Sequence, residues 1–86
     1  MRQEPGHFGD VELSLLFIAK KLKEALALEE VLTAAGVDYL VEPDTYRGGI
    51  IFASERVGAF FYVLPDRIEE ARDILVAGGY RPYVNK

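Results

Sequence analysis

Few side chains in this sequence could do covalent or metal chemistry. His7 is the single histidine, and cysteine is absent. Disulfides, thiolate nucleophiles and thiolate metal sites are therefore excluded, and one histidine near the chain start cannot build a multi-histidine metal site. Asp66, Glu69, Glu70 and Asp73 gather on one helix face. Paired carboxylates do acid–base work only where burial splits their pKa values, and this face reads as a solvated, solubilising surface. Neither phosphate-binding glycine signature, G-x-x-x-x-G-K-[ST] or G-x-G-x-x-G, occurs, so Gly48-Gly49 and Gly78-Gly79 read as turn and cap residues. The expectation is a protein without an active site, a metal or a cofactor.

Two groups of residues suit binding rather than catalysis. Lys20, Lys21 and Lys23 lie where a first strand enters a first helix. There they oppose the helix dipole in sign, yet can join the helix amides in holding an anion. The second group is the loop Tyr46-Arg47-Gly48-Gly49 with Arg56 beyond it, where an aromatic hydroxyl beside a guanidinium suits protein contact or covalent modification. A structural turn, with Tyr46 folded back on the sheet, is the competing reading of that loop.

The elements that must position these groups follow from hydrophobic period. Residues 1–10 mix Pro5, Gly6 and Gly9 with charges and show no period, which predicts a flexible arm; residues 11–86 form a single domain. Val11 to Ala19 alternates, with Val11, Leu13, Leu15 and Phe17 on one face and Leu16 and Ile18 on the other. Ala25, Leu28, Val31, Leu32 and Ala35 make a helical stripe that Gly36 ends, leaving Leu22 and Leu26 off the stripe. Val37 to Glu42 reads as a second strand that Pro43 closes, with a turn at Pro43-Asp44-Thr45 and a long loop from Tyr46 to Arg56. Ile50 to Ala53 could add a small strand. Val57 to Leu64 is the clearest strand, with a bulge expected at Gly58. Asp66 and Glu69 form a capping box for a second helix, which Gly78-Gly79 ends, and Tyr80 to Val84 reads as a last edge strand.

The order is β-α-β-β-α-β, an α+β ferredoxin-like domain whose antiparallel sheet carries both helices on one face. Its open face then receives large apolar residues from both central strands, more than a monomer usually exposes, so self-association as a dimer or trimer is expected.

Gly36-Val37 after the first helix, Tyr46-Arg47-Gly48 in the loop and Phe61-Tyr62-Val63-Leu64-Pro65-Asp66 before the second helix resemble the PII nitrogen-regulatory (GlnB-like) superfamily. The compact group of prokaryotic signal-transducing domains is resembled most, through Ala35-Gly36-Val37 and the glycine-containing loop. The resemblance implies a signal-transducing homo-oligomer, commonly a trimer, and a modification site at Tyr46. The chain departs from that pattern after the second helix, where Gly78-Gly79-Tyr80-Arg81-Pro82 replaces a glycine- and lysine-rich phosphate loop.

Composition sets the outer bounds. With 86 residues, 50% of them hydrophobic and 28% charged, the chain has a globular balance at a size where burial alone is marginal. A net charge of −4 opposes attraction to nucleic acid or anionic lipid, and no stretch is long enough to span a membrane. A cytoplasmic, non-enzymatic regulatory module that binds a small effector or a partner protein is the reading these features favour. The alternatives are a small ferredoxin-like enzyme of the dimeric α+β barrel type and a purely structural oligomerisation domain.

Overall fold

A computed structural model of the chain describes residues 1–48 and 54–83. Three strands, β1 (Ser14–Ala19), β2 (Leu40–Gly48) and β3 (Ser54–Val63), alternate with helices α1 (Leu22–Ala34) and α2 (Ile68–Ala77) in the order β1-α1-β2-β3-α2. The sheet is antiparallel, with strand order β1-β3-β2.

β3 is central because its alternation is the cleanest: Ala59, Phe61 and Val63 turn under the helices and Phe60 and Tyr62 turn away. Leu28 and Leu32 of α1 and Ala71 and Leu75 of α2 are fully buried against that inner face, together with Val37 and Tyr39. Both helices end in the same way. Gly36 (φ 75°) and Gly79 (φ 88°) adopt left-handed backbone, and Val37 N–H and Tyr80 N–H reach back to the Leu32 and Leu75 carbonyls at 3.0 and 2.9 Å. These are Schellman closures, which satisfy carbonyls that the helix leaves without partners.

β1 departs from simple alternation. Its ladder with β3 runs Leu15↔Tyr62 and then Phe17↔Phe61, so Leu16 is an extra, bulged residue. The bulge lets the adjacent residues Leu16 and Phe17 both enter the core, and it moves Leu15 to the face opposite Phe17. A strict period of two assigns Leu15 and Phe17 to one face, and it places the irregularity at Gly58 instead.

β2 also runs further than expected. Pro43 does not end the ladder: it sits opposite Ala59, and pairing continues through Tyr46↔Arg56 to Gly48↔Ser54. The reason lies in which edge the residue faces. Tyr39 N–H donates to the Met1 carbonyl, its own carbonyl accepts from Gln3 N–H, and Thr45 N–H is capped by Asp44 Oδ1 at 2.8 Å. Odd-numbered residues of β2 therefore point away from β3, and Pro43 lacks an N–H only where no ladder needs one. Asp44 and Thr45, expected in a turn, are strand residues.

The remaining differences lie at the chain ends. Asp66 makes no capping box, because Pro65–Arg67 forms a 3-10 turn without a side-chain cap and Glu69 bonds Arg72 instead. Residues 80–83 are not a strand; Tyr83 N–H reaches the Leu16 carbonyl at 2.7 Å as their described tie to β1. The six-element βαββαβ order is thus not reached among the described residues, and Val84 and Ile50–Ala53 lie outside them. Residues 1–10, for which no period predicts structure, hold a parallel bridge from Arg2 to Tyr39 and a 3-10 turn at Pro5–Phe8.

The open sheet face is better covered than alternation implies. Leu40 and Phe60 are buried on it, and Phe8, a third buried side chain outside the cluster beneath the helices, comes from the arm. This burial is reached within one chain. Among the described residues, large apolar side chains are exposed at Leu22, Leu26, Val57 and Val76, and also at Met1, Val11 and Tyr83. Among the described residues no helix is long and apolar enough to cross a membrane.

Two outcomes test this packing. Phe61→Ala removes a side chain with no solvent exposure, and urea denaturation should show a loss of about 3–5 kcal/mol. Burial, followed by the nearby charges of Glu42 and Asp44, raises the Tyr62 phenol above its ordinary 10.0. The folded chain then holds that proton where the unfolded chain has lost it. Stability is therefore full below the unfolded value and falls as pH rises through the folded one. Melting temperature should drop above about pH 10, and Tyr62→Phe should make that alkaline fall shallower.

Candidate functional site

Lys20 directly follows β1, and its amide donates to Glu24 Oε1 at 3.1 Å. Glu24 stands in the first turn of α1, where a carboxylate complements the positive end of the helix, and the contact ties the end of the strand to the start of the helix. Across from it runs the segment that follows α2. Gly79 supplies the left-handed turn, and Gly78 supplies room: a Cβ there would meet the Tyr80 ring at 3.3 Å. Tyr80 consequently folds back, edge-on to Phe17 with ring centres 5.8 Å apart, and the chain proceeds to Arg81 and Tyr83.

The result is a cleft of about 510 Å³ at the end of β1, with Lys20, Arg81 and Glu24 as its charged lining residues and Tyr80, Tyr83 and Phe17 among its aromatic ones. Two cations face one carboxylate, in a chain whose net charge is −4. The single carboxylate is engaged by the Lys20 amide. Lysine and arginine beside aromatic rings, which supply flat contact area, are residue types that suit a small anion with a planar body. Among the described residues no group of three or more histidines or carboxylates could hold a metal ion.

The structure divides the residues singled out from sequence. Lys20 lines the cleft. Lys21 lines, with Lys20, a smaller hollow of about 120 Å³ against Leu22 and Val57 to Ala59, and Lys23 is exposed on the first turn of α1. Tyr46, Arg47 and Gly48 occupy the far end of β2 opposite Arg56, Glu55 and Ser54, so the ladder sets Tyr46 directly across from Arg56. Gly49 lies outside the described residues. Because β1 stops at Ala19 opposite Ala59, the strands beyond continue as a two-stranded ribbon among the described residues.

Arg81, Tyr80 and Tyr83 were not legible as site residues. They follow a helix cap and precede Pro82, a pattern that reads as an edge strand, and only the topology brings them beside β1. The two glycines were the available signal, since they turn the chain back at that point. No family model, curated protein or solved structure matches the chain.

Proposed function

We propose that the chain is a non-enzymatic regulatory module, acting in the cytoplasm, whose cleft at the end of β1 binds a small anionic effector. The observation that carries this reading is the convergence of Lys20 and Arg81 with Tyr80 and Tyr83 on one concavity. Binding rather than turnover is favoured because a single carboxylate, Glu24, is among the lining residues, and one of its oxygens accepts from a backbone amide. The likeness of Tyr46-Arg47-Gly48 to the PII loop supports a signalling role, with the ribbon as the surface that partners or modifying enzymes reach.

The same reading includes self-association. Leu22 (76% exposed), Leu26 (53%) and Val57 (68%) are the large apolar side chains left in water along α1 and the ribbon, and Leu22 and Val57 border one hollow. A second copy is the cover proposed for them.

Thermal-shift and calorimetric titration with inorganic pyrophosphate, nucleotides and 2-oxo acids test the effector site. A ligand held at about a hundred times its Kd should stabilise the chain by about 2.7 kcal/mol. Combined replacement of Lys20 and Arg81 by alanine should weaken binding by at least about tenfold, the scale of one lost charge-assisted contact. No stabilisation by any of these anions would remove the reading. Sedimentation separately tests assembly: the wild-type chain should run as an oligomer, and Leu26→Glu with Val57→Glu should run as a monomer.

A further inference from the structure

A second cleft, of about 550 Å³, lies at the opposite end of β1. Its apolar walls are Leu13 and Leu15 at the start of the strand, Pro65 from the turn before α2, and Tyr83 from the segment after it. Two charged residues line it, Glu12 and Arg72.

Arg72 is incompletely satisfied. Its Nη1 donates to Glu69 Oε1 at 3.1 Å, while its Nε is buried and has no partner among the described residues. In a guanidinium, Nε–H and the Nη2 amino group lie along one edge and point the same way, a fork that matches the two oxygens of a carboxylate. The edge away from the bond to Glu69 therefore holds an unused donor, and a buried donor without a partner is costly to leave unmade. Glu12 does not fill it: it is exposed, and among the described residues no ion pair joins it to Arg72. Two opposite charges thus line one cleft without neutralising each other.

A plain carboxylate reaching Arg72 would meet the charge of Glu12. A ligand that carries an ammonium beside its carboxylate turns that repulsion into a second attraction, and its side chain then has Leu13, Leu15, Pro65 and Tyr83 to pack against. We infer that this cleft is a binding site for a free α-amino acid with an apolar or aromatic side chain, its carboxylate held by Arg72 and its ammonium by Glu12. A peptide terminus presents only one of the two charges and fits less well. For the ligand to reach Nε a wall must yield, and Tyr83 stands on the segment whose described tie to β1 is the bond to the Leu16 carbonyl. Tyr83 also borders the first cleft, so occupancy of one site is expected to alter affinity at the other.

Calorimetric titration of the full chain with L-phenylalanine, L-leucine, 3-phenylpropionate and phenethylamine tests the inference. L-Phenylalanine should bind at least about tenfold more tightly than either analogue lacking one charge, and Arg72→Gln should weaken it by at least about tenfold. Glu12→Gln, at an exposed position, should bring L-phenylalanine and 3-phenylpropionate to within about twofold of each other. This variant carries the test if Arg72→Gln fails to unfold cooperatively. The Lys20 and Arg81 double variant should keep the amino-acid response while losing the anion response, which separates this site from the first. Absence of amino-acid binding at about 10 mM, equal binding of L-phenylalanine and 3-phenylpropionate to the wild-type chain, or affinities unchanged in both variants would overturn it.

Discussion

Phe61 is the residue on which both ladders and both layers converge. It lies fully buried on β3, which is paired along both edges, opposite Phe17 on β1 and Val41 on β2, with its ring 5.6 Å from that of Tyr39. A domain this small buries a modest share of its surface, so its core must be dense where it exists. The bulge at Leu16 is one answer: by breaking the period it delivers two large side chains from adjacent positions to the inner face beside Phe61.

The bulge has a second effect, at the edge of the sheet. Leu16 is also where the segment after α2 is tied, through Tyr83 N–H to the Leu16 carbonyl. The two clefts lie on either side of this tie and share Tyr83 as a wall. Packing at Phe61 and the shape of both clefts are therefore linked through one irregular residue of β1. The opposite edge is differently managed. The Tyr39 donor, just before β2, is occupied by the arm, the Thr45 donor on β2 is occupied by Asp44, and Pro43 has none. Those three positions offer no free donor to an added strand.

Much of the fold was legible because its determinants are local. The stripe Ala25, Leu28 and Leu32, the stops at Gly36 and Gly79, and the faces of Ala59, Phe61 and Val63 all follow from period and from backbone freedom at glycine. The misreadings share a cause in pairing. Pro43 reads as the end of a strand until its open edge is known, and Leu16 reads as opposite in face to Phe17 until the bulge is known. Asp66 and Glu69 have the spacing of a capping box, but Pro65 starts a 3-10 turn and Glu69 finds Arg72 one turn further along. Of the candidate site residues, Lys20 was readable from its place at a strand end, whereas Arg72 and Arg81 were not.

By itself the sequence determined the alternation of elements, the apolar faces of β3 and α1, the helix stops, and the absence of thiol and multi-histidine chemistry. Each depends on residue type and on neighbours within a few positions. Tertiary structure alone decided the register of β1 against β3, the edge to which Pro43 turns, the bridge from Arg2 to Tyr39, and the placing of Lys20 with Arg81 in one cleft and of Glu12 with Arg72 in another. Those pairs lie far apart along the chain, and no local energy term specifies them. They are set by where the sheet and its two helix closures bring distant segments side by side.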